Sequence, residues 1–337
     1  MKENRLIAPC LVILTVIAVA MVLKFASNVF LPLVLAWLVS YVISPIFAFF
    51  DRQNYPKALT AALATIVLVI LFLLASALVS NYMSDITSAA PKYAANLSAI
   101  FKDISQHSNL NLSMWSSVNW GERFQKGVMI LMAMTLDFST SAISMLFFLV
   151  FILSGRRIFS KKVQKASFGG NADQLNEVLV AINRQIGQYL RLMTLISAMT
   201  GVGVWLSLKL LGVDFAAAWG CLAFVLNYIP NVGSIIASIP PILLAFIQFY
   251  PSPTVPFLAA LAILFVEMAF GNVIGPKLMG DSLDLSPMVI LFFLLLWGWI
   301  WGAAGALLSV PIAVIVKIIC DNVGYLKPIG VLLGSGK

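Results

Sequence analysis

Charge is scarce in this chain. Of its 337 residues only 10% are Asp, Glu, Lys or Arg, against 61% hydrophobic, and the mean hydropathy is +1.00. Soluble domains carry about a quarter charged residues, so 21 Lys+Arg and 13 Asp+Glu cannot clothe a chain of this length for water. Cysteine is equally thin. Cys10, Cys221 and Cys320 each lie in or beside an apolar run, which excludes a disulfide framework. The one histidine, His107, leaves no imidazole cluster for a metal and stands beside no nucleophile motif. No G-x-x-x-x-G-K-[ST] loop occurs, so ATP-driven transport by this chain alone is not expected. The inventory points away from an enzyme and calls for no cofactor or metal.

Apolar length is what the chain has in abundance. Charge-free runs cover residues 6–23, 25–50 and 58–84, and residues 127–153 form another broken only by Asp137. Residues 192–208 follow, then the long uncharged runs 215–266 and 285–316. A membrane-crossing helix needs about 20 apolar residues, so the shorter runs cross once and the two longest must turn. Proline and glycine mark where. The first breaks at Ile229-Pro230-Asn231-Val232-Gly233, and its second arm carries Pro240-Pro241; the second breaks between Gly298 and Gly305. The expected fold is all-α and polytopic, with about eight transmembrane helices and a re-entrant hairpin near Pro230. Counting each hairpin arm as a crossing gives ten; either even number puts both termini on one side.

Basic residues give that side. Arg156, Arg157, Lys161, Lys162, Lys165, Arg184 and Arg191 crowd one connection, while Lys92, Lys102, Arg123 and Lys126 are nearly balanced by Asp85, Asp103 and Glu122 in another. The crowded side is cytoplasmic by the positive-inside rule, and it takes both termini with it. Much of the +8 net charge is then a topology signal, and nucleic acid is not an expected partner. The chain reads as N-terminal membrane helices (1–79), an extracytoplasmic helical segment (80–126) and a membrane helix (127–153). A basic cytoplasmic loop with an amphipathic helix (154–192), a membrane core (193–320) and a cytoplasmic tail (321–337) complete it. In the outer segment Met83, Ile86, Ala90, Tyr93, Leu97, Ile100 and Ile104 form a helical seam that folds back on its own chain or meets another subunit. Pro91 is expected to kink it or to open its second half. Leu175, Val178, Leu179, Ile182, Ile186 and Leu190 mark the inner helix, expected to ride on the membrane surface.

Polar groups at membrane depth are costly and mark pathways or partners. Asp137, followed by Ser139, Thr140 and Ser141, and Glu267 are candidate ion-coupling carboxylates. Bland alternatives are a helix-packing hydrogen bond for Asp137 and an interfacial position for Glu267. Asn227 and Asn231 flank the Pro230 break, where exposed backbone groups can hold ions and polar substrates or be satisfied by those same amides. Gly201-Val-Gly203 fits close helix packing. Gly271-Asn272-Val-Ile-Gly275-Pro276-Lys277-Leu-Met-Gly280 reads as a structured cytoplasmic connection, able to serve as a gate with glycine hinges.

Two stretches carry a family resemblance. Trp219-Gly-Cys-Leu-Ala-Phe-Val-Leu-Asn-Tyr-Ile-Pro-Asn-Val-Gly233, running on to Pro240-Pro241, resembles the core motif of the autoinducer-2 exporter (AI-2E) family. So does Phe270-Gly-Asn-Val-Ile-Gly-Pro-Lys-Leu-Met-Gly280, followed by Trp297-Gly-Trp and Leu308-Ser-Val-Pro311. The resemblance implies a bacterial inner-membrane secondary transporter that assembles as a homo-oligomer, a pentamer among the options. Better-known members export autoinducer-2; others exchange Na⁺ or Li⁺ for H⁺. Asn227, Pro230, Asn231, Gly233, Pro240, Pro241, Asn272, Pro276, Lys277 and Gly280 fall in the family motifs, whereas Glu267 and Asp137 do not. Related sequences often carry an acidic residue where this chain has Gly275, and Asn where it has Glu267. The expectation is an exporter of a small polar molecule, autoinducer-2 or similar, driven by H⁺ or Na⁺, with Asn227, Asn231 and Asn272 on the substrate. Pro230, Gly233, Pro240, Pro241, Gly271, Gly275, Pro276, Lys277 and Gly280 would form its hairpin and gate. The alternatives are a Na⁺(Li⁺)/H⁺ antiporter and a non-transporting oligomeric scaffold.

Overall fold

A computed structural model describes residues 4–43, 57–107, 122, 123, 126, 142–153, 155, 172–229, 232–279 and 284–336. Asp137, Pro230, Asn231 and Gly280 lie outside them. Among the described residues the chain is all-α, with no strand. Its helices are α1 (Asn4–Phe25), α2 (Ser27–Val42), α3 (Lys57–His107), α4 (Ala142–Leu153), α5 (Ala172–Leu210), α6 (Ala216–Leu226) and α7 (Val232–Gln248). Then come α8 (Thr254–Val266), a π-helical segment (Glu267–Ile274), α9 (Gly275–Met279), α10 (Pro287–Asn322) and α11 (Lys327–Leu333).

Among the described residues, three stretches are long and apolar enough to cross a membrane: Val178–Leu210, Thr254–Met279 and Pro287–Asn322. The pair Leu14–Phe25 and Ser27–Val42, bent by 89°, makes a fourth if it is one span. α4, α6 and α7 are apolar but shorter. On α7, Gly233, Ala237, Pro241, Leu244 and Ala245 are buried, whereas Ile235, Ile239, Leu243 and Phe246 are exposed. A helix that keeps such residues on its outer face is built for a lipid or protein environment rather than water.

The chain forms two compact units. One comprises residues 1–65, 141–191 and 281–337; the other comprises 66–140 and 192–280. In the first, α10 starts at Ser286, whose hydroxyl accepts from the Val289 N–H at 3.3 Å with Pro287 at the first helical position. It does not run straight. Trp301 and Gly302 are non-helical, Gly302 at φ 63°, ψ −144°. Beyond them the chain turns back, so that a Cβ on Gly305 would overlap the Trp297 carbonyl oxygen. The break expected between Gly298 and Gly305 is thus a tight helical hairpin. Its tip is tied to α1: the Trp301 indole donates to the Leu23 carbonyl at 2.9 Å, and the Lys24 ammonium stands 3.8 Å over the Trp299 ring. At the other end α11 packs back on α10, and the Ser286 N–H donates to the Leu333 carbonyl at 3.1 Å. Asp284 accepts from the backbone N–H and hydroxyl of Ser335 and pairs with Lys317 at 3.2 Å, which holds its carboxyl down at about 2. The inner amphipathic stripe is not a membrane-surface face. Ile182, Ile186 and Leu190 are buried, and Tyr41 donates to the Asn183 Oδ1 at 2.5 Å, so protein covers the face expected to lie on lipid.

The second unit has a core of Tyr93, Val204, Leu208, Val213, Ala223, Ala237, Leu244, Ala245, Ala259, Ile263 and Val266. α7 packs between α6 and α8. The C-terminal part of α3 folds back on this core at Tyr93, which is fully buried and donates to Asp214 Oδ2 at 2.6 Å, while Ile104 at the far end of the expected seam is exposed. Asn96 donates to the Ile247 carbonyl at 2.8 Å, and Tyr250 to Asp103 at 2.8 Å. Gln248 ties down the α5–α6 turn by accepting from the Asp214 N–H and donating to the Gly212 carbonyl, both at 2.9 Å. The prolines behave more mildly than expected. α3 continues through Pro91, which is exposed, and α7 continues through Pro240 and Pro241. A helical proline costs about 3 kcal/mol, and burying Pro241 almost completely against the core offsets part of that.

Candidate functional site

Within the second unit, small residues let backbones meet. Gly201 on α5 faces Gly220 on α6, and a Cβ on either would lie 2.7 Å from the other's carbonyl oxygen. Gly203 faces Val266 and Phe270, and Gly275 faces Ile196. This is the small-residue packing read from Gly201-Val-Gly203. It brings short α5 side chains within reach of two discontinuities: the break between α6 and α7, and the π-helical segment after α8.

At the first, the break is tight. A Cβ on Gly233 would overlap the Leu226 carbonyl oxygen, so only hydrogen fits where the arms cross. Asn227 caps the C-terminal end of α6, and Ser234 lies in the first turn of α7. The buried Asn227 amide donates from Nδ2 to Ser197 Oγ at 3.1 Å, which turns its Oδ1 toward Ser234. The Ser234 hydroxyl donates to that Oδ1 at 3.4 Å, with the Glu267 side chain nearby.

Glu267 opens the π-helical segment and is only 8% exposed, with Oε2 folded over the face of Gly271. π-helical turns inside α-helices are rare and concentrate at functional sites. The packed helix α5 carries Thr200. It is fully buried on the α5 stripe Ile196–Thr200–Gly203, whose two ends touch Gly275 and Val266–Phe270, and its hydroxyl has no hydrogen-bond partner. An unsatisfied buried hydroxyl costs about 1–3 kcal/mol. A buried carboxylate costs several more unless something compensates it. Such groups persist in an apolar interior where function uses them.

The sequence-predicted residues divide accordingly. Asn227 pairs with Ser234, Glu267 lies near the same serine, and Gly233 closes the hairpin that carries it. Asn272 is not drawn in; it is exposed, its amide 3.6 Å from Met268 Sδ one turn back. Gly271 gives room to Glu267, Gly275 is buried, and Pro276 and Lys277 are exposed. Pro240 and Pro241 lie within α7, past the turn that carries Ser234. Asp137, Pro230, Asn231 and Gly280 lie outside the described residues. Sequence reading missed Ser197, Thr200 and Ser234. Their available signals were the i, i+3 spacing of Ser197 and Thr200 beside Gly201, and the place of Ser234 next to Gly233. Among the described residues no three His, Cys, Asp or Glu gather as metal ligands, so the donors are a single carboxylate and neutral oxygens.

Comparison with known proteins follows this geometry. A family model described as AI-2E family transporter matches residues 12–324. The AI-2 transport protein TqsA of Escherichia coli K12 is 30% identical over 325 residues, covering 93% of this chain and 90% of TqsA. A provisionally named transport protein of Borreliella burgdorferi is 34% identical over 334 residues, 97% of this chain and 90% of its own length. The provisionally named transport protein YhhT of Escherichia coli K12 is 32% identical over 323 residues, 93% of this chain and 90% of YhhT.

Proposed function

This chain belongs to the AI-2E transporter family and is a multi-pass membrane transporter, and from that premise we propose that it exports autoinducer-2 or a similar small polar molecule. Movement of H⁺ or Na⁺ drives the export. The observation that carries the reading is the hydrogen-bonded chain Ser197–Asn227–Ser234, with the buried Glu267 nearby, gathered where one helix stops and the next begins. Discontinuous helices place backbone dipoles and polar side chains around a substrate that a continuous apolar helix could not hold. Asn227 contacts the substrate, and the glycine-tight hairpin fixes where that amide stands; Asn231, outside the described residues, joins it on the strength of the sequence motif alone. Asn272, exposed on the π-helical segment, would meet the substrate on its way past. A similarity of 30% to a protein named for autoinducer-2 transport supports the substrate class. The protein works in a bacterial inner membrane as a homo-oligomer with both termini cytoplasmic, a reading supported by the basic connection at residues 156–191.

The burial of Glu267 beside Ser234 favours one second reading, exchange of Na⁺ or Li⁺ for H⁺ through that carboxylate. Proteoliposomes of the purified protein separate the two. Labelled autoinducer-2 that crosses the membrane in response to an imposed ion gradient supports the exporter. A lumenal pH change on adding Na⁺ or Li⁺, with no movement of the label, supports the exchanger and rejects the exporter.

A further inference from the structure

We propose that α11 lies in the plane of the membrane, with its outward apolar face set in the boundary between lipid headgroups and acyl chains.

Geometry comes first. The two arms of the α10 hairpin end side by side, where Lys317 on the second arm pairs at 3.2 Å with Asp284, just ahead of the first. α11 bridges these ends. A Cβ on Gly330 would come 3.2 Å from the Asp321 backbone nitrogen on the second arm. The Leu333 carbonyl accepts at 3.1 Å from Ser286, which opens the first arm. The seven residues of α11 make a rod about 10 Å long, close to the spacing between the axes of two packed helices. A rod that joins the ends of two membrane arms runs across them, so it lies flat in the membrane plane. Because Gly330 meets the backbone of Asp321, α11 rests on the flank of that arm, and its far face looks sideways.

That far face is the second observation. Around the buried Gly330 the helix exposes Pro328, Ile329, Val331 and Leu332, with Tyr325 just before it. Tyr325, Val331 and Leu332 are 83%, 77% and 78% exposed, and Lys327 is the one charged residue among them. The polar groups are on the other side, where Asp284, Lys317, Asp321 and Ser335 make their ties. A flat helix divided in this way is the form that binds a bilayer surface. The first arm of α10 supplies the level. It exposes Met288, Leu291, Phe292 and Leu295 from its opening turn onward, so its apolar outer surface begins where Leu333 docks. Tyr325 and Lys327 suit that depth, an aromatic ring with a polar tip and a long cation that reaches a headgroup phosphate.

Spin labelling of the full-length protein in liposomes of phosphatidylcholine and phosphatidylglycerol tests this without any transported molecule. Cys10 and Cys221 are replaced by alanine, and the buried Cys320 stays, its own signal measured in that parent. A nitroxide is then placed at Leu332→Cys, or at Val331→Cys should the first variant misfold. The reference is Gly336→Cys, beyond the Asp284 clasp, where a Cβ has no atom within 4 Å. Collisions with oxygen, which concentrates in the bilayer, are compared with collisions with a water-soluble nickel chelate. The oxygen-to-nickel ratio should be several-fold higher at position 332 or 331 than at 336. Equal ratios, with nickel reaching both positions, would put the face in water and overturn the proposal. Slow collisions with both reagents, together with broadening between labels on different molecules, would make a second copy of the chain the covering and overturn it as well. Loss of the exporter reading would change none of these results.

Discussion

Replacing Gly233 with alanine puts a methyl group where the structure has a carbonyl. The new Cβ would overlap the Leu226 oxygen, far inside the 3.0 Å that real Cβ atoms keep, and must withdraw by more than about 1 Å. Neither side yields easily, because the Leu226 carbonyl already accepts from the Ile229 N–H at 2.9 Å and both partners are backbone. Overpacking of this kind costs about 3 kcal/mol. The better helix propensity of alanine returns about 1 kcal/mol, so the net loss is about 2 kcal/mol. Two controls isolate the cause. Gly298 has no atom within 4 Å of its would-be Cβ and an ordinary helical backbone, so Gly298→Ala should gain up to about 1 kcal/mol. Gly302 also has open space but sits at φ 63°, ψ −144°, so Gly302→Ala should lose about 1–3 kcal/mol through backbone strain alone. Thermal unfolding in detergent reads the series, at roughly 2–4 °C per kcal/mol. Only Gly233→Ala should also reduce flux out of proportion to its stability, because spreading the hairpin lengthens the 3.4 Å Ser234–Asn227 contact. A Gly233→Ala protein with parent melting temperature and parent flux would refute the close-approach argument.

Two further outcomes concern the polar ties of Tyr93 and of the C-terminal tail. Tyr93→Phe removes the 2.6 Å hydrogen bond to Asp214 while keeping the buried ring; because Asp214 is partly exposed and water can replace the phenol, the loss should be about 1 kcal/mol, whereas Tyr93→Ala opens a core void worth about 3–5 kcal/mol. Melting temperatures of the two variants give the comparison. The tail clasp should depend on pH. Ser335 and Lys317 depress the Asp284 carboxyl from 3.8 to about 2, so its contribution is complete above pH 4 and disappears as pH falls toward 2. Protection of the amides over residues 327–336, taken relative to intrinsic exchange at each pH, should fall across that window, and protection that stays constant between pH 4 and 2 would contradict the assignment.

Much of this organisation is legible in the order of residues. Apolar runs and scarce charge require membrane helices, and Ile229-Pro230-Asn231-Val232-Gly233 marks a hairpin because proline and glycine interrupt a helix. Gly201 and Gly203 signal close packing. What one-dimensional spacing does not hold is the partner of each small residue. Nothing in the α5 run says that Ser197 meets Asn227 rather than another polar group, since that pairing depends on Gly201 meeting Gly220 across two helices. The π-helical turn is hidden as well, because Glu267-Met-Ala-Phe-Gly-Asn-Val-Ile reads equally well as an α-helix. The inner amphipathic stripe misleads because the same apolar face suits a lipid surface or a protein neighbour, and here Tyr41 and Asn183 join it to protein. Internal prolines mislead in the opposite direction, since exposure of Pro91 and burial of Pro241 let helices continue where local propensity alone predicts a stop.

The central claim is that the buried amide at the helix break, more than the exposed amide on the π-helical segment, handles the transported molecule. Gradient-driven flux of labelled autoinducer-2, measured side by side for Asn227→Ala and Asn272→Ala in proteoliposomes with matched protein content, addresses it most directly. The account predicts at least a tenfold loss for Asn227→Ala, by analogy with losing one buried polar contact in a binding site, and less than a twofold change for Asn272→Ala. Full flux in Asn227→Ala together with loss in Asn272→Ala would contradict it.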